Sequence, residues 1–275
     1  MIDSHQHLWS YDEAEFSWLA PSLRKSFLAA DLEEILAPTD VSGTIAVQAR
    51  CSLEENDFLI DQARQTALIK GIVGWVDLKA ADAEETLDQL AAEPLIKGVR
   101  EITQGTSDDE FLGNEAFHRG VNLLGERDLR YDLLIFENQL AIADYFVAKH
   151  ADLRMVLDHC AKPSIRHDAF PQEWAKGMKT LAKHENLSCK LSGLPTEIRD
   201  DSPCTAELLR PYFETVLEAF GPQRIMFGSD WPVSLEITPY ANWLQTVQNL
   251  ISELSQDEQT AILSSNASVF YGCDG

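Results

Sequence analysis

Two histidines one residue apart, His5 and His7 in MIDSHQHLWS, are the first residues whose type and spacing suggest chemistry. Residues i and i+2 of a strand share a face, so the pair, with Asp3 behind it, would present an Asp-His-His row. Such a row is costly to bury without a purpose. His159 closes the apolar run RMVLD, and Asp230 follows IMFGS. Imidazole nitrogens and a carboxylate suit a mononuclear divalent metal, zinc above all, with open positions for water. The metal set expected is His5, His7, His159 and Asp230. The same four groups also make a metal-free cluster, in which the histidines orient the carboxylate and Asp230 alone is the base. In either form the simplest reaction is attack of activated water on a carbonyl.

Positioning these residues takes a particular scaffold. Strand-like runs begin with MIDSHQHL and recur at 43–50, 68–78, 94–102, 130–136, 153–160, 186–194 and 223–231. Each is a short apolar stretch bounded by polar, Gly or Pro punctuation. Helical spacing is read at 52–67, 82–93, 114–128, 138–151, 172–185, 204–221, 239–254 and 256–267. Ser52 and Asp82 are N-cap candidates, each with a glutamate three residues on. The segments 102–113 and 161–172 read as rim loops. Eight strands alternating with helices predict an α/β fold, a (β/α)8 TIM barrel, with residues 1–275 as a single domain. No G-x-G-x-x-G follows the first strand, which removes the dinucleotide reading of an open sheet.

In such a barrel, functional groups gather at the C-terminal strand ends. His5 and His7 end the first strand, Gln48 and Arg50 the second, Trp75 and Asp77 the third, and Arg100 and Glu101 the fourth. Asp158 and His159 end the sixth, Lys190 and Ser192 the seventh, and Asp230 the eighth. Their convergence on one rim predicts a shared site. Asp158 is expected on the opposite face from His159, in a packing role. Trp9, Trp75 and Trp231 are read either as core or as pocket walls. His118, His150, His167 and His184 are read as solvated, and the cysteines as packing residues.

The net charge of −23, from 22 basic and 45 acidic residues, argues against nucleic-acid or anionic-membrane partners. Five scattered cysteines without CxxC read as reduced thiols. With no signal-peptide pattern and no apolar run of membrane-spanning length, a cytoplasmic protein is the expectation.

DSHQHLW, GVR, the VLDH–AKP run, CKLSGL and FGSDWPV together resemble the amidohydrolase superfamily, of the amidohydrolase 2 type. More narrowly they are similar to its sugar-lactonase branch of L-fuconolactonase and L-rhamnono-lactonase-like proteins. The resemblance covers nearly the whole chain, including NASVFY at 266–271. It implies a (β/α)8 hydrolase that opens a sugar-acid lactone, a small-molecule substrate, with Asp230 as general base and His159 beside it. Members occur with and without a bound metal. Arg100 matches a substrate-binding position, and Glu101 stands where the family often has histidine. Gln48, Glu101, Lys190, Trp9, Trp75 and Trp231 would contact the substrate's hydroxyls and sugar faces. The alternatives are a metal-dependent decarboxylase of an aromatic or unsaturated acid, and a silent sugar-acid-binding barrel. Retention of a base argues against the latter.

Overall fold

A computed structural model describes residues 1–273. Eight parallel strands run in chain order: β1 (Ile2–Gln6), β2 (Gly43–Val47), β3 (Ile69–Gly74), β4 (Ile96–Ile102), β5 (Arg130–Leu134), β6 (Met155–Leu157), β7 (Leu187–Leu191) and β8 (Ile225–Phe227). Between β1 and β2 lies α1 (Ala29–Leu36), which the sequence reading did not include. The other crossovers carry α2 (Leu53–Ala63), α3 (Ala83–Ala91), α4 (Glu115–Glu126), α5 (Leu140–Lys149), α6 (Gln172–Leu181) and α7 (Ala206–Phe220). After β8 come α8 (Tyr240–Leu250), α9 (Gln256–Thr260), a π-turn (Ala261–Ser265) and α10 (Asn266–Tyr271). The architecture is the predicted (β/α)8 TIM barrel. Ser52 caps α2 by accepting from Glu54 N, whereas the Asp82 side chain makes no cap bond.

The barrel closes between β8 and β1. His7 N donates to Trp231 O (2.7 Å) and Asp230 N donates to His5 O (2.8 Å). A register shift between Asp3 and Gln6 marks an irregularity in β1. It breaks the strict alternation that would have put Asp3 beside the histidines. Ile2 belongs to the interior cluster, while Asp3 accepts from Ser229 N (2.8 Å) and the Tyr240 hydroxyl of α8 (3.1 Å). Asp3 therefore ties the barrel seam to α8, and burial pushes its pKa up to about 6.

The interior is layered. Its floor is apolar: Ile2, Ile45, Val47, Val73, Val156 and Met226 pack against Phe270 and Tyr271 of α10. Above it lies a completely buried layer of charged and polar groups, and above that the mouth. The larger apolar cluster fills the space between sheet and helices. Among the described residues no helix is long and apolar enough to cross a membrane.

Candidate active site

His5 and His7 both point into the barrel. His7 Nδ1 lies 2.7 Å from the Val47 carbonyl, which can only accept, so Nδ1 carries the proton and Nε2 a lone pair. His5 Nδ1 lies 3.3 Å from Asp158 Oδ1, and Arg100 Nη1 donates toward His5 Nε2 at 3.3 Å. Lys190 Nζ also lies 3.1 Å from His5 Nδ1, so a donor and an acceptor both meet that nitrogen. The two Nε2 atoms face each other at 3.2 Å. Asp230 Oδ1 is 3.4 Å from His7 Nε2 and 3.9 Å from His5 Nε2.

Two nitrogens bound at about 2.1 Å in a tetrahedral zinc site stand about 3.4 Å apart. His5, His7 and Asp230 thus fit a divalent ion by donor chemistry and by spacing. His159 is more distant: its Nε2 is 4.0 Å from Asp230 Oδ1, and its ligand atom groups with those of His5 and Asp158.

The backbone that presents His159 is unusual. His159, Cys160, Ala161 and Lys162 have φ of 53°, 53°, 57° and 49°, four successive left-handed non-glycine residues. Each such residue costs about 1–2 kcal/mol. The surroundings hold the turn: Trp174 Nε1 donates to Cys160 O at 2.7 Å, and Cys160 and Ala161 are completely buried. Strain of this kind persists where a site requires it. Here it follows directly on β6 and carries both His159 and Lys162 to the cavity wall. His159 Nδ1 meets Ser192 Oγ at 2.9 Å, and Gly193 packs against its ring. Asp230 is left-handed too, with φ of 55°.

Electrostatics distinguishes these groups. Burial pushes the His159 pKa down to about 4 and lowers His5 as well, so both rings are neutral near pH 7. Burial works to raise the Asp230 carboxyl, but the three surrounding histidines outweigh it and hold it well below the ordinary carboxylate range. Burial is likewise outweighed at Asp158, by Lys190, His5 and Arg100.

His7, Arg100, His159 and Asp230 line one cavity of about 360 Å³. Trp18, Gln104 and Lys162, from loops, and Thr196, from a short 3₁₀ helix (Leu194–Glu197), line it as well, none singled out by the sequence reading. Ala49, Ile102, Leu134 and Val233 make its wall partly apolar. A larger groove of about 620 Å³ lies elsewhere, among residues such as Arg166, Phe170 and Tyr212, without a comparable set of groups.

Several expected contacts lie elsewhere. Glu101 does not line the cavity; it follows Arg100 on the strand, and successive side chains point to opposite faces. Its carboxylate accepts from Trp75 Nε1 (3.0 Å) and from the Cys51 thiol (3.3 Å), which accounts for Trp75 also. Gln48 is an internal brace, its Oε1 accepting from Arg100 Nη2 at 3.1 Å. Trp9 is core, packed on Phe16 and Phe27, and Trp231 packs edge-on against Phe27. Lys190 is completely buried beneath the mouth, between Asp132 and Asp158. Asp158, expected outside the barrel, is inside it, pairing with Arg100 Nη1 at 3.0 Å. Val156 packs in the barrel interior, so alternation along β6 carries Asp158 to that same face, and it is His159 that the left-handed turn brings in beside it. His118 and His150 are buried, not solvated, and meet Nδ1 to Nε2 at 2.7 Å.

Known proteins resemble this chain along nearly its whole length. A protein named L-fucono-1,5-lactonase from Burkholderia ambifaria is 34% identical over 282 residues, covering 99% of this chain and 96% of that protein. A protein of the same name from Burkholderia multivorans is 36% identical, covering 98% and 95%. The crystal structure of a Burkholderia multivorans amidohydrolase with bound zinc superposes with a TM-score of 0.93 at 35% identity, covering 99% of both chains. The amidohydrolase family profile matches residues 2–273, and the chain belongs to that family.

Proposed function

We propose that this protein hydrolyses the lactone of a sugar acid, an aldonolactone such as L-fuconolactone or L-rhamnonolactone, with Asp230 as the general base. The observation that carries this reading is the convergence, at one cavity, of a buried ionised carboxylate, His7, His159 and Arg100, with His5 directly beneath. A neutral, compact, hydroxylated ring suits a cavity of about 360 Å³ with a mixed wall. The names of the two Burkholderia relatives support the same substrate class.

In this reading a water molecule lies between Asp230 and the lactone carbonyl carbon. Asp230 Oδ1 accepts its proton as oxygen attacks, and a tetrahedral oxyanion develops. Arg100 and His159, both on the cavity wall, face the developing charge, and one such donor contributes about 3 kcal/mol of transition-state stabilisation. The ring oxygen then leaves and takes the proton back from Asp230. A divalent ion held by His5, His7 and Asp230 would supply Lewis-acid polarisation of water or carbonyl. Ser192 fixes the His159 ring, and Gln48 and Asp158 fix the Arg100 guanidinium.

A pH-indicator screen of aldonolactones against the purified protein, with and without a chelator, tests the proposal. Acid release from at least one lactone is expected. Carbon dioxide release from an aromatic acid, with no lactone opened, would transfer the assignment to a decarboxylase.

A further inference from the structure

The last helix does more than close the barrel floor. The ring of Tyr271 sits in the apolar floor cluster, but its hydroxyl points up to Asp132, 2.9 Å from both carboxylate oxygens. Asp132, on β5, pairs closely with the Lys190 ammonium from β7. Lys190 Nζ is in turn 3.1 Å from Asp158 Oδ1 and 3.1 Å from His5 Nδ1, and Asp158 Oδ1 lies 3.3 Å from that same nitrogen. Asp132, Lys190, Asp158 and His5 are completely buried and Tyr271 is 1% exposed. The contacts form an unbroken column from the C-terminal helix to the first residue of the HxH pair.

We propose that Tyr271, Asp132 and Lys190 are positioning residues for the reaction, holding Lys190 Nζ and Asp158 Oδ1 against His5 Nδ1 so that the ring keeps one tautomer and one orientation toward the mouth. The inference rests on the hydrolase reading of the site and extends it to residues that touch neither substrate nor cavity. Stability alone does not call for the column, because replacing a buried ion pair by apolar residues is often neutral or stabilising. An apolar floor is already present beneath it. What an apolar layer cannot do is fix a tautomer, and a carboxylate behind a histidine does so. Arg100 Nη1, 3.0 Å from Asp158 Oδ2, and Lys190 on Oδ1 leave that carboxylate little freedom. The Tyr271 hydroxyl is the one component supplied from outside the eight strands and their C-terminal ends.

The test is Tyr271→Phe, which keeps the ring in the floor and removes only the hydroxyl. Long-range proton–nitrogen NMR of the histidine rings reads the His5 tautomer directly, with no need of substrate or metal. The expected result is a folded variant in which the His5 tautomer signature shifts from that of the wild type. Its kcat on a lactone opened by the wild type falls about tenfold, with KM within twofold. Combining the change with Lys190→Met gives no further loss beyond Lys190→Met alone. A folded Tyr271→Phe variant with an unchanged His5 spectrum and unchanged kcat would overturn the column. If the wild type opens no lactone but the His5 spectrum still responds to Tyr271→Phe, the column stands and the lactonase reading fails.

Discussion

Asp230 and His5 are joined through their backbones: the Asp230 N–H donates to the His5 carbonyl at 2.8 Å. With the His7 N–H donating to Trp231 O at 2.7 Å, this bond closes the barrel. The proposed base and the proposed metal ligands thus sit on the seam where the last strand meets the first. Residues separated by nearly the whole chain are held in register by two hydrogen bonds, so the site forms only when the barrel does.

The exposed indole of Trp18 is one place where substrate affinity separates from chemistry. It is 54% exposed, edge-on to Trp9, and lines the cavity. An aromatic face of this kind contributes about 1 kcal/mol to binding a sugar's C–H surface. Trp18→Ala is expected to raise KM about fivefold, leave kcat within twofold and leave the melting temperature unchanged. Steady-state kinetics on the preferred lactone checks this; a loss confined to kcat would contradict the placement.

Gly193 has a φ of 64°, and a Cβ there would approach His159 Nδ1 to 2.4 Å. Both the backbone and the imidazole resist a larger residue. Gly193→Ala is expected to destabilise the fold by about 1–3 kcal/mol. It should also lower kcat at least tenfold by displacing the His159 ring from Ser192. Urea unfolding and kcat measured on the same preparation separate the two effects.

His150 carries a pH dependence away from the site. Burial, then the fields of His118 and Lys149, push its pKa down from 6.5 to about 4. Between these values the unfolded chain binds the proton and the folded chain does not. The contribution is therefore present above about pH 6.5 and lost as pH falls toward 4. Between pH 7 and 5 it is on the order of 1–2 kcal/mol. His150→Gln should flatten the fall in unfolding free energy between pH 7 and 5 relative to the wild type. Parallel curves for the two proteins would contradict it.

The barrel was legible because its strands are short apolar runs, the pattern expected when both faces of a parallel sheet are buried. The HxH pair, His159, Arg100 and Asp230 were legible because each ends such a run. What was not legible depends on departures from period two. The β1 irregularity turns Asp3 toward α8, and the left-handed turn after β6 brings His159 in beside Asp158, which alternation from Val156 alone places inside. Strict alternation, conversely, takes Glu101 off the cavity, a consequence available from its place next to Arg100. Trp18, Gln104 and Lys162 lie in loops and Thr196 in a single 3₁₀ turn, where no periodicity marks which residue faces a cavity. His118 stands three residues before the buried Val121, so helical spacing did carry a signal for its burial.

The central claim, that Asp230 activates water for lactone opening, is tested most directly by one comparison. Initial rates of acid release from L-fucono-1,5-lactone are measured for the wild type and for Asp230→Asn, with the fold of each verified by circular dichroism. The account predicts a folded variant with turnover reduced by about 10²–10⁴-fold, the range a positioned general base supplies. A folded Asp230→Asn protein that opens the lactone at the wild-type rate would contradict it.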